Sequence, residues 1–281
     1  MNALCIDLED YYQCNDIGIS YEDWPRYDSR IEIGTRIILD ILDNHGVKAT
    51  FFVLGDVAER NPAIVREIAE QGHEIASHGR SHRMLSELTP DEFQSELRES
   101  LRLLRELTGD RPVRGFRAAS WSLTKQNRWA EAILLAEGVR YDSSVIPWKG
   151  MFHVRGDPFA SLIPHSTPNG LVEFPPPVLK VAGFIYPFSL ATVFRITPYL
   201  FTSWMLRTFC RRNDSPAMIS IHPWDFDIDQ PKLKLPLKTR LMKYTGMEKM
   251  RRKLGRLLSD YPFGRMDEVL EKIGLLLEAM E

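Results

Sequence analysis

Short apolar strands alternate with amphipathic helices through the first half of the chain, and this alternation constrains the fold more than any other feature. The apolar runs at 3–6, 48–54, 73–76 and 113–116 predict strands, and each precedes a segment with apolar residues at helical spacing. Repeated strand–helix units form parallel sheets with right-handed crossovers. We therefore expect an α/β fold built on a parallel sheet.

The second half of the chain is less regular. Prolines are frequent in residues 147–216, which predicts an irregular insertion within a domain of residues 1–230. A buried strand is expected at 217–221, and residues 231–281 predict a helical C-terminal extension packed on this domain. The basic run 232–256 is interpreted as a solvated helix face, with contact to an anionic lipid surface or a diphosphate-linked glycan as the alternative.

Composition excludes several classes of protein. The net charge of −2 over 281 residues gives no argument for nucleic-acid binding, and three cysteines without CxxC spacing argue against a disulfide framework. We find no run of 18 uninterrupted apolar residues and no signal peptide, so we expect no transmembrane segment. The expected location is cytoplasmic, with peripheral contact at the inner face of the membrane as a variant.

Reactive side chains follow the predicted strands. In the order of the strands, they are Asp7, Glu9 and Asp10; His78 and His82; Arg117; and His222. In a barrel of parallel strands these ends converge on one face. His78 and His82 are four residues apart, so on a helical turn both would lie on the same side. With one carboxylate they would leave a metal with open positions, as in catalytic rather than structural zinc sites.

These motifs resemble the polysaccharide deacetylases of carbohydrate esterase family 4, also called the chitooligosaccharide-deacetylase homology domain. The resemblance covers roughly residues 3–225 and includes the segments 7–10 (DLED), 49–52 (ATFF), 72–78 (GHEIASH) with His82, 115–118 (GFRA) and 220–223 (SIHP). It implies a distorted, incomplete (β/α) barrel. The segments 7–11, 141–144 and 222–224 further resemble the bacterial branch associated with exopolysaccharide and exosortase loci.

The resemblance implies a role for each reactive residue. His78 and His82 match metal ligands, Asp7 the general base, Arg117 the arginine that orients this base, and His222 the general acid. The carboxylate ligand stays open: one alignment makes Asp10 the ligand with Glu9 as the base, and the other makes Glu9 the ligand. Because residues two apart on a strand point to the same face, the pairing of Asp7 with Glu9 is favoured.

Four further residues are candidates for substrate binding: Ser120, Trp121, Asp142 and Trp224. The tryptophans are interpreted as sugar-stacking residues, with core or rim packing as the alternative, and Asp142 either binds substrate or caps a turn. The family usually has a proline after the arginine, whereas this chain continues from Arg117 with Ala118, Ala119 and Ser120. This departure concerns the identity of the substrate more than the catalysis.

The expected cofactor is a divalent metal. Zinc is the first choice, and cobalt or another divalent ion is an alternative. The predicted reaction removes N-acetyl groups from amino sugars of a bacterial surface polysaccharide or its precursor, a lipid-linked form included, and releases acetate. Two alternatives stay open at this point: hydrolysis of another linear amide, such as an N-formyl sugar or a ureide, and a catalytically silent glycan-binding domain.

Overall fold

Eleven strands are present in the computed structural model, which describes residues 1–109, 111–150 and 156–277. In chain order they are β1 (Asn2–Leu8), β2 (Thr50–Val53), β3 (Glu74–Ser77), β4 (Gly115–Phe116), β5 (Tyr141–Asp142), β6 (His165–Ser166), β7 (Val172–Glu173), β8 (Leu179–Val181), β9 (Phe184–Tyr186), β10 (Met218–Ile221) and β11 (Phe263–Gly264). The strands predicted around residues 3–6, 48–54, 73–76 and 217–221 are all present.

Nine of these strands form one curled sheet, in the order β10-β1-β2-β3-β4-β5-β7-β6, with β11 also paired to β1. All neighbours are parallel except β6 and β7, while β8 and β9 form a separate antiparallel hairpin. Among the described strands, β10 and β6 end the series without pairing to each other. The predicted incomplete (β/α) barrel is confirmed.

Ten helices accompany the strands in the described part of the chain. They are α1 (Ile31–Asn44), α2 (Gly55–Arg60), α3 (Pro62–Glu70), α4 (Pro90–Leu107), α5 (Trp129–Ala136), α6 (Ala191–Ile196), α7 (Tyr199–Asn213), α8 (Leu237–Tyr244), α9 (Met250–Asp260) and α10 (Met266–Lys272). Helix α4 begins as its sequence predicts, because Thr89 and Glu92 cap each other reciprocally. None of the helices in this part of the chain is both long and apolar enough to cross a bilayer.

Strand alternation divides the core into two layers. On β1, Leu4, Ile6 and Leu8 belong to the large cluster shared with the outer helices. Residues at the intervening positions, Ala3 and Cys5, belong to an inner cluster that also contains Met266 and other residues of α10. The C-terminal helix α10 therefore packs against the inner face of the sheet, and the next inward positions along β1 belong to Asp7 and Glu9.

Two segments differ from their expected structure. The supposedly irregular stretch 147–216 contains the 15-residue helix α7, although residues 151–155 of this stretch lie outside the described part. Helix α7 buries Thr202, Met205, Leu206 and Phe209 at helical spacing, but Trp204 on the same helix is 44% exposed. Exposed aromatic residues of this kind obscure the apolar periodicity in the sequence. The C-terminal extension, which was predicted to be helical, also contains β11, and this strand pairs with β1 in the sheet. The division into domains stays a prediction.

Candidate metal centre and active site

The register of the sheet brings the strand ends into one layer. Paired across β1 to β5 are Leu8 with Val53, Val53 with Ser77, Ser77 with Phe116, and Phe116 with Asp142. The residues that follow on three of these strands, Glu9, His78 and Arg117, therefore emerge at the same level. On the other side of β1, Ile6 pairs with Ile221, so His222 follows β10 beside Asp7.

Glu9, His78 and His82 form a group with the geometry of a metal site. All three are buried, and one potential ligand atom from each lies within 4.8 Å of the other two. His82 Nε2 is 3.0 Å from Glu9 Oε2. Two nitrogens and one carboxylate oxygen are a donor set that suits zinc and related divalent metals.

The outer nitrogen of each imidazole has a partner that sets the tautomer. His78 Nδ1 lies 2.7 Å from the carbonyl oxygen of Arg117, and His82 Nδ1 lies 3.3 Å from Asn15 Oδ1. If both Nδ1 atoms donate, both Nε2 atoms present lone pairs towards Glu9, whose buried Oε2 has no hydrogen-bond donor. Facing acceptors of this kind fit a bound cation, and outer partners of this kind orient ligand histidines.

Electrostatics within the group favour the ligand forms of its members. Burial acts to raise the pKa of Glu9, but the neighbouring His82, His222 and His78 outweigh it and hold that pKa well below its usual range. Burial lowers the pKa of His78 to about 4. Glu9 is therefore ionised and His78 neutral near pH 7, as metal coordination requires.

The histidine pair does not lie on a helical turn, so that part of the prediction is wrong. Residues 78–84 form an irregular loop, in which Gly79 and His82 have positive φ angles of 76° and 56°. Ser81 Oγ donates to the carboxylate of Glu96 on α4 and ties the loop down. The loop, rather than helical periodicity, brings the two imidazole rings to a centroid distance of 5.0 Å.

Asp10 is not placed as a metal ligand, which corrects the alternative that assigned it this role. Its Oδ2 accepts hydrogen bonds from Ser29 Oγ at 2.7 Å and from the backbone N–H of Arg30 at 2.8 Å. These contacts hold the start of α1, because the first N–H groups of a helix lack partners within it. Asp10 points away from the inner face that Asp7 and Glu9 share, as alternation along an extended strand requires.

Asp7 is held by Arg117 and Ser220. Arg117 Nη1 donates to Asp7 Oδ1, and Ser220 Oγ lies 3.2 Å from Asp7 Oδ2. Arg117 is itself completely buried, with its guanidinium carbon 4.0 Å from the ring centroid of Phe52 and 4.3 Å from that of Trp121. The carboxylate is thus fixed beside the metal group without belonging to it.

His222 lies opposite this carboxylate and is oriented by Asp225. Its Nδ1 is 3.2 Å from Asp225 Oδ2, and its Nε2 is 3.5 Å from Glu9 Oε1 and 3.9 Å from Asp7 Oδ2. Burial acts to lower the pKa of His222, but the hydrogen bond to Asp225 and the negative charge of Glu9 outweigh it, and the pKa is raised. A histidine that keeps its proton to a higher pH than an ordinary imidazole can act as a general acid.

These side chains open into a cavity of about 750 Å³. Ser120 and Trp121 line it, as predicted for substrate-binding residues, and both have positive φ angles, of 52° and 58°. Trp224 also lines it but is 6% exposed. Its ring stacks on His222 at a centroid distance of 4.7 Å, and its Nε1 donates to Glu9 Oε1 at 3.3 Å. Trp224 therefore positions the reactive groups and offers little surface to a sugar.

Two family models match consecutive parts of this chain. The model described as polysaccharide deacetylase matches residues 11–134, and the one described as a domain of unknown function (DUF3473) matches residues 143–271. Over 171 residues the chain is 32% identical to the peptidoglycan-N-acetylglucosamine deacetylase of Bacillus cereus, covering 58% of this chain and 60% of that protein. The chain is thus similar to the polysaccharide deacetylase family over residues 11–134.

Other similarities agree with this match. The chitooligosaccharide deacetylase of Sinorhizobium fredii is 33% identical over 102 residues, which cover 36% of this chain and 45% of that protein. The chain thus spans less than two thirds of the length of these curated relatives. A solved Mycobacterium smegmatis structure assigned to the polysaccharide deacetylases has a TM-score of 0.63 at 21% identity, over 96% of this chain and 88% of that one. This likeness shows a shared fold.

Asp142 does not line this cavity, so its prediction as a substrate-binding residue is wrong. It is completely buried, and its carboxylate accepts a hydrogen bond from Ser144 Oγ at 2.5 Å. Burial raises the pKa of Asp142, and burial together with the charge of Asp142 raises that of Glu173. Glu173 in turn accepts hydrogen bonds from the N–H groups of Ser144 and Val145. The pair stabilises the loop below the site.

Sequence reasoning missed four residues of this site: Asn15, Ser220, Asp225 and Lys243. Ser220 had a usable signal, because it lies two residues before His222 on an extended segment and so on the same face. Asp225 also had one, three residues after His222 in a tight turn. Asn15 and Lys243 reach the site from a loop and from α8, and nothing in their sequence neighbourhoods indicates this.

Proposed function

We propose that this protein hydrolyses N-acetyl groups of amino sugars in a metal-dependent reaction and releases acetate. The observation that carries the proposal is the three-ligand group of Glu9, His78 and His82, set between the carboxylate of Asp7 and the imidazole of His222. The names of the relatives, a peptidoglycan-N-acetylglucosamine and a chitooligosaccharide deacetylase, support N-acetylglucosamine units as the substrate class.

Hydrolysis of an amide requires catalysis at three groups: the carbonyl must be polarised, the attacking water deprotonated and the leaving amine protonated. A divalent metal held by Glu9, His78 and His82 would supply Lewis acidity towards the carbonyl and towards water. Asp7 has an acceptor oxygen on the cavity side, and Arg117 and Ser220 prevent the carboxylate from rotating. Asp7 is thus placed to take the proton of the attacking water as a general base.

The leaving amine must depart protonated, and His222 is placed to supply this proton. Asp225 accepts the Nδ1–H bond, which leaves the second ring nitrogen facing the cavity at 3.9 Å from Asp7 Oδ2. The raised pKa of His222 keeps the ring protonated to a higher pH than an ordinary imidazole. The two proton-transfer groups thus come from different strands and both face the cavity, where the attacking water and the leaving amine would be.

A silent glycan-binding domain would not need this complete set. Each reactive group has a partner whose contacts serve orientation: the buried Arg117 for Asp7, the half-buried Asn15 for His82, and the buried Asp225 for His222. Such outer partners are costly to keep buried unless the groups they orient are used. We therefore favour an active enzyme, with zinc as the metal and a bacterial surface polysaccharide or its precursor, made at the cytoplasmic side, as the substrate.

Acetate release from N-acetylglucosamine oligomers tests this proposal. Zinc-loaded protein should release acetate, chelator-treated protein should not, and added zinc or cobalt should restore the release. The matched control is the same protein with His78→Ala, which should stay inactive with added metal. Turnover of an N-formyl sugar or a ureide without any acetate release would replace the proposed substrate class, and glycan binding without turnover would indicate the silent domain.

A further inference from the structure

Within the part of the chain that the structure describes, Lys243 on α8 is a buried cation without an ion-pair partner. It is 5% exposed and lines the same cavity as the metal group. Its Nζ makes no hydrogen bond within the described residues, and it lies 4.0 Å from the ring centroid of Trp224. A buried ammonium that meets only an aromatic face towards the cavity is an unusual feature.

The nearby buried cations do have polar partners. Arg195 pairs with Asp225 and donates to the carbonyl oxygen of Thr245, and Lys253 donates to the carbonyl oxygens of Phe194 and Thr197. Burying an unpaired charge costs several kcal/mol of free energy. The cation–π contact with Trp224 offsets only part of this cost. An anion within the cavity would complete the environment of Lys243.

Trp224 connects this lysine to the reaction centre. The same indole ring contacts the Lys243 ammonium, stacks on the imidazole of His222 and donates to Glu9. A group bound by Lys243 would therefore lie next to the sugar whose acetyl group reacts. Leu190 and Val193 make part of the lining apolar, and Lys238 and Thr239 line the same cavity as further donors.

We propose that Lys243 binds a negatively charged group of the substrate, a phosphate or a carboxylate, beside the N-acetylated sugar. This inference rests on the proposed deacetylase function and narrows its substrate class to acidic glycans or sugar phosphates. An ammonium–oxyanion hydrogen bond in a partly dry cavity would raise the kcat/KM for the charged substrate about tenfold or more over its neutral counterpart.

A matched set of substrates tests this inference. We would compare acetate release from an N-acetylglucosamine oligomer, the same oligomer with a phosphate at its reducing end, and one that contains a uronic acid residue. The wild-type protein should prefer a charged oligomer, and the preferred one identifies the anion. Lys243→Met should lower the charged-to-neutral ratio of kcat/KM about tenfold or more, mainly through KM, and Lys243→Arg should retain most of this ratio.

Lys234→Met is the control, because Lys234 is exposed on the segment before α8 and does not line the cavity. It should leave the ratio unchanged. A wild-type ratio near one, or an equal loss on all three substrates in Lys243→Met, would overturn the inference while leaving the deacetylase function intact. If no substrate releases acetate, calorimetry with N-acetylglucosamine 1-phosphate and with a matching uronate decides. If the wild type binds one of these ligands and Lys243→Met does not, the anion site is upheld by itself. If the wild type binds neither ligand, the inference is overturned.

Discussion

Exchanging the two inward carboxylates for amides separates the general base from the metal ligand. Asp7→Asn removes a proton acceptor but none of the three ligand atoms, so the variant should keep its metal and lose about 10²- to 10⁴-fold in kcat. Glu9→Gln removes the charged ligand that faces His82 at 3.0 Å, so this variant should lose metal affinity as well as activity.

The stability of Asp7→Asn follows from its buried partner. Arg117 is completely buried, and removing one member of a buried ion pair costs about 3–5 kcal/mol. The asparagine still offers an oxygen to Arg117, whose Nε also donates to the carbonyl oxygen of Ser143 at 3.2 Å. We therefore expect a loss near the lower end, about 3 kcal/mol, which lowers Tm by roughly 5–10 °C for a chain of this size.

Metal content, acetate release and thermal unfolding would be measured on both variants at a temperature where each is folded. Asp267→Asn is the matched control, because it neutralises a buried carboxylate that pairs with Arg114 and Arg265 away from the cavity. It should lose stability without losing turnover. A metal-free Asp7→Asn protein together with an active Glu9→Gln protein would refute the assignment of the two roles.

Further expectations concern four other residues. His222→Ala should keep its metal and lower kcat on an amide about 10²-fold or more, with a smaller loss on an activated aryl acetate; equal losses would exclude general acid catalysis. His78→Ala should fold but lose bound metal by elemental analysis, whereas Asp10→Asn should retain it. Burial lowers the pKa of His73 to about 4 in the folded protein. As the pH falls below about 6.5, this histidine is therefore protonated in the unfolded chain before it is protonated in the folded one. Urea unfolding should show about 3 kcal/mol of stability lost by pH 4, and less in His73→Gln.

The sheet was predictable because its strands are apolar and its helices amphipathic. The convergence of Glu9, His78 and Arg117 followed from the strand ends alone, since parallel strands end at one edge. The loop geometry of the histidine pair was not predictable. Four-residue spacing suits a helical turn, but Gly79 with positive φ and the hydrogen bond from Ser81 to Glu96 close the loop differently.

The sequence also did not predict how deeply individual side chains are buried. Asp142 and Trp224 are residue types that often contact sugars, yet one is completely buried under the site and the other is 6% exposed. Lys243 shows the opposite error. Its position in a basic run indicates a solvated helix face. This interpretation is right for Lys234, which is exposed, but wrong for Lys243, because one side of α8 lines the cavity.

Asp7 and Glu9 are the same functional group two residues apart, and their neighbours decide their different roles. Arg117 occupies one oxygen of Asp7, so a metal bound there would lie against a buried guanidinium and be repelled by it. Glu9 forms no ion pair with an arginine or lysine among the described residues. It faces His78, His82 and His222, and its Oε2 has no donor. A cation therefore gains most beside Glu9, and Asp7 is left to handle protons at the edge of the same site.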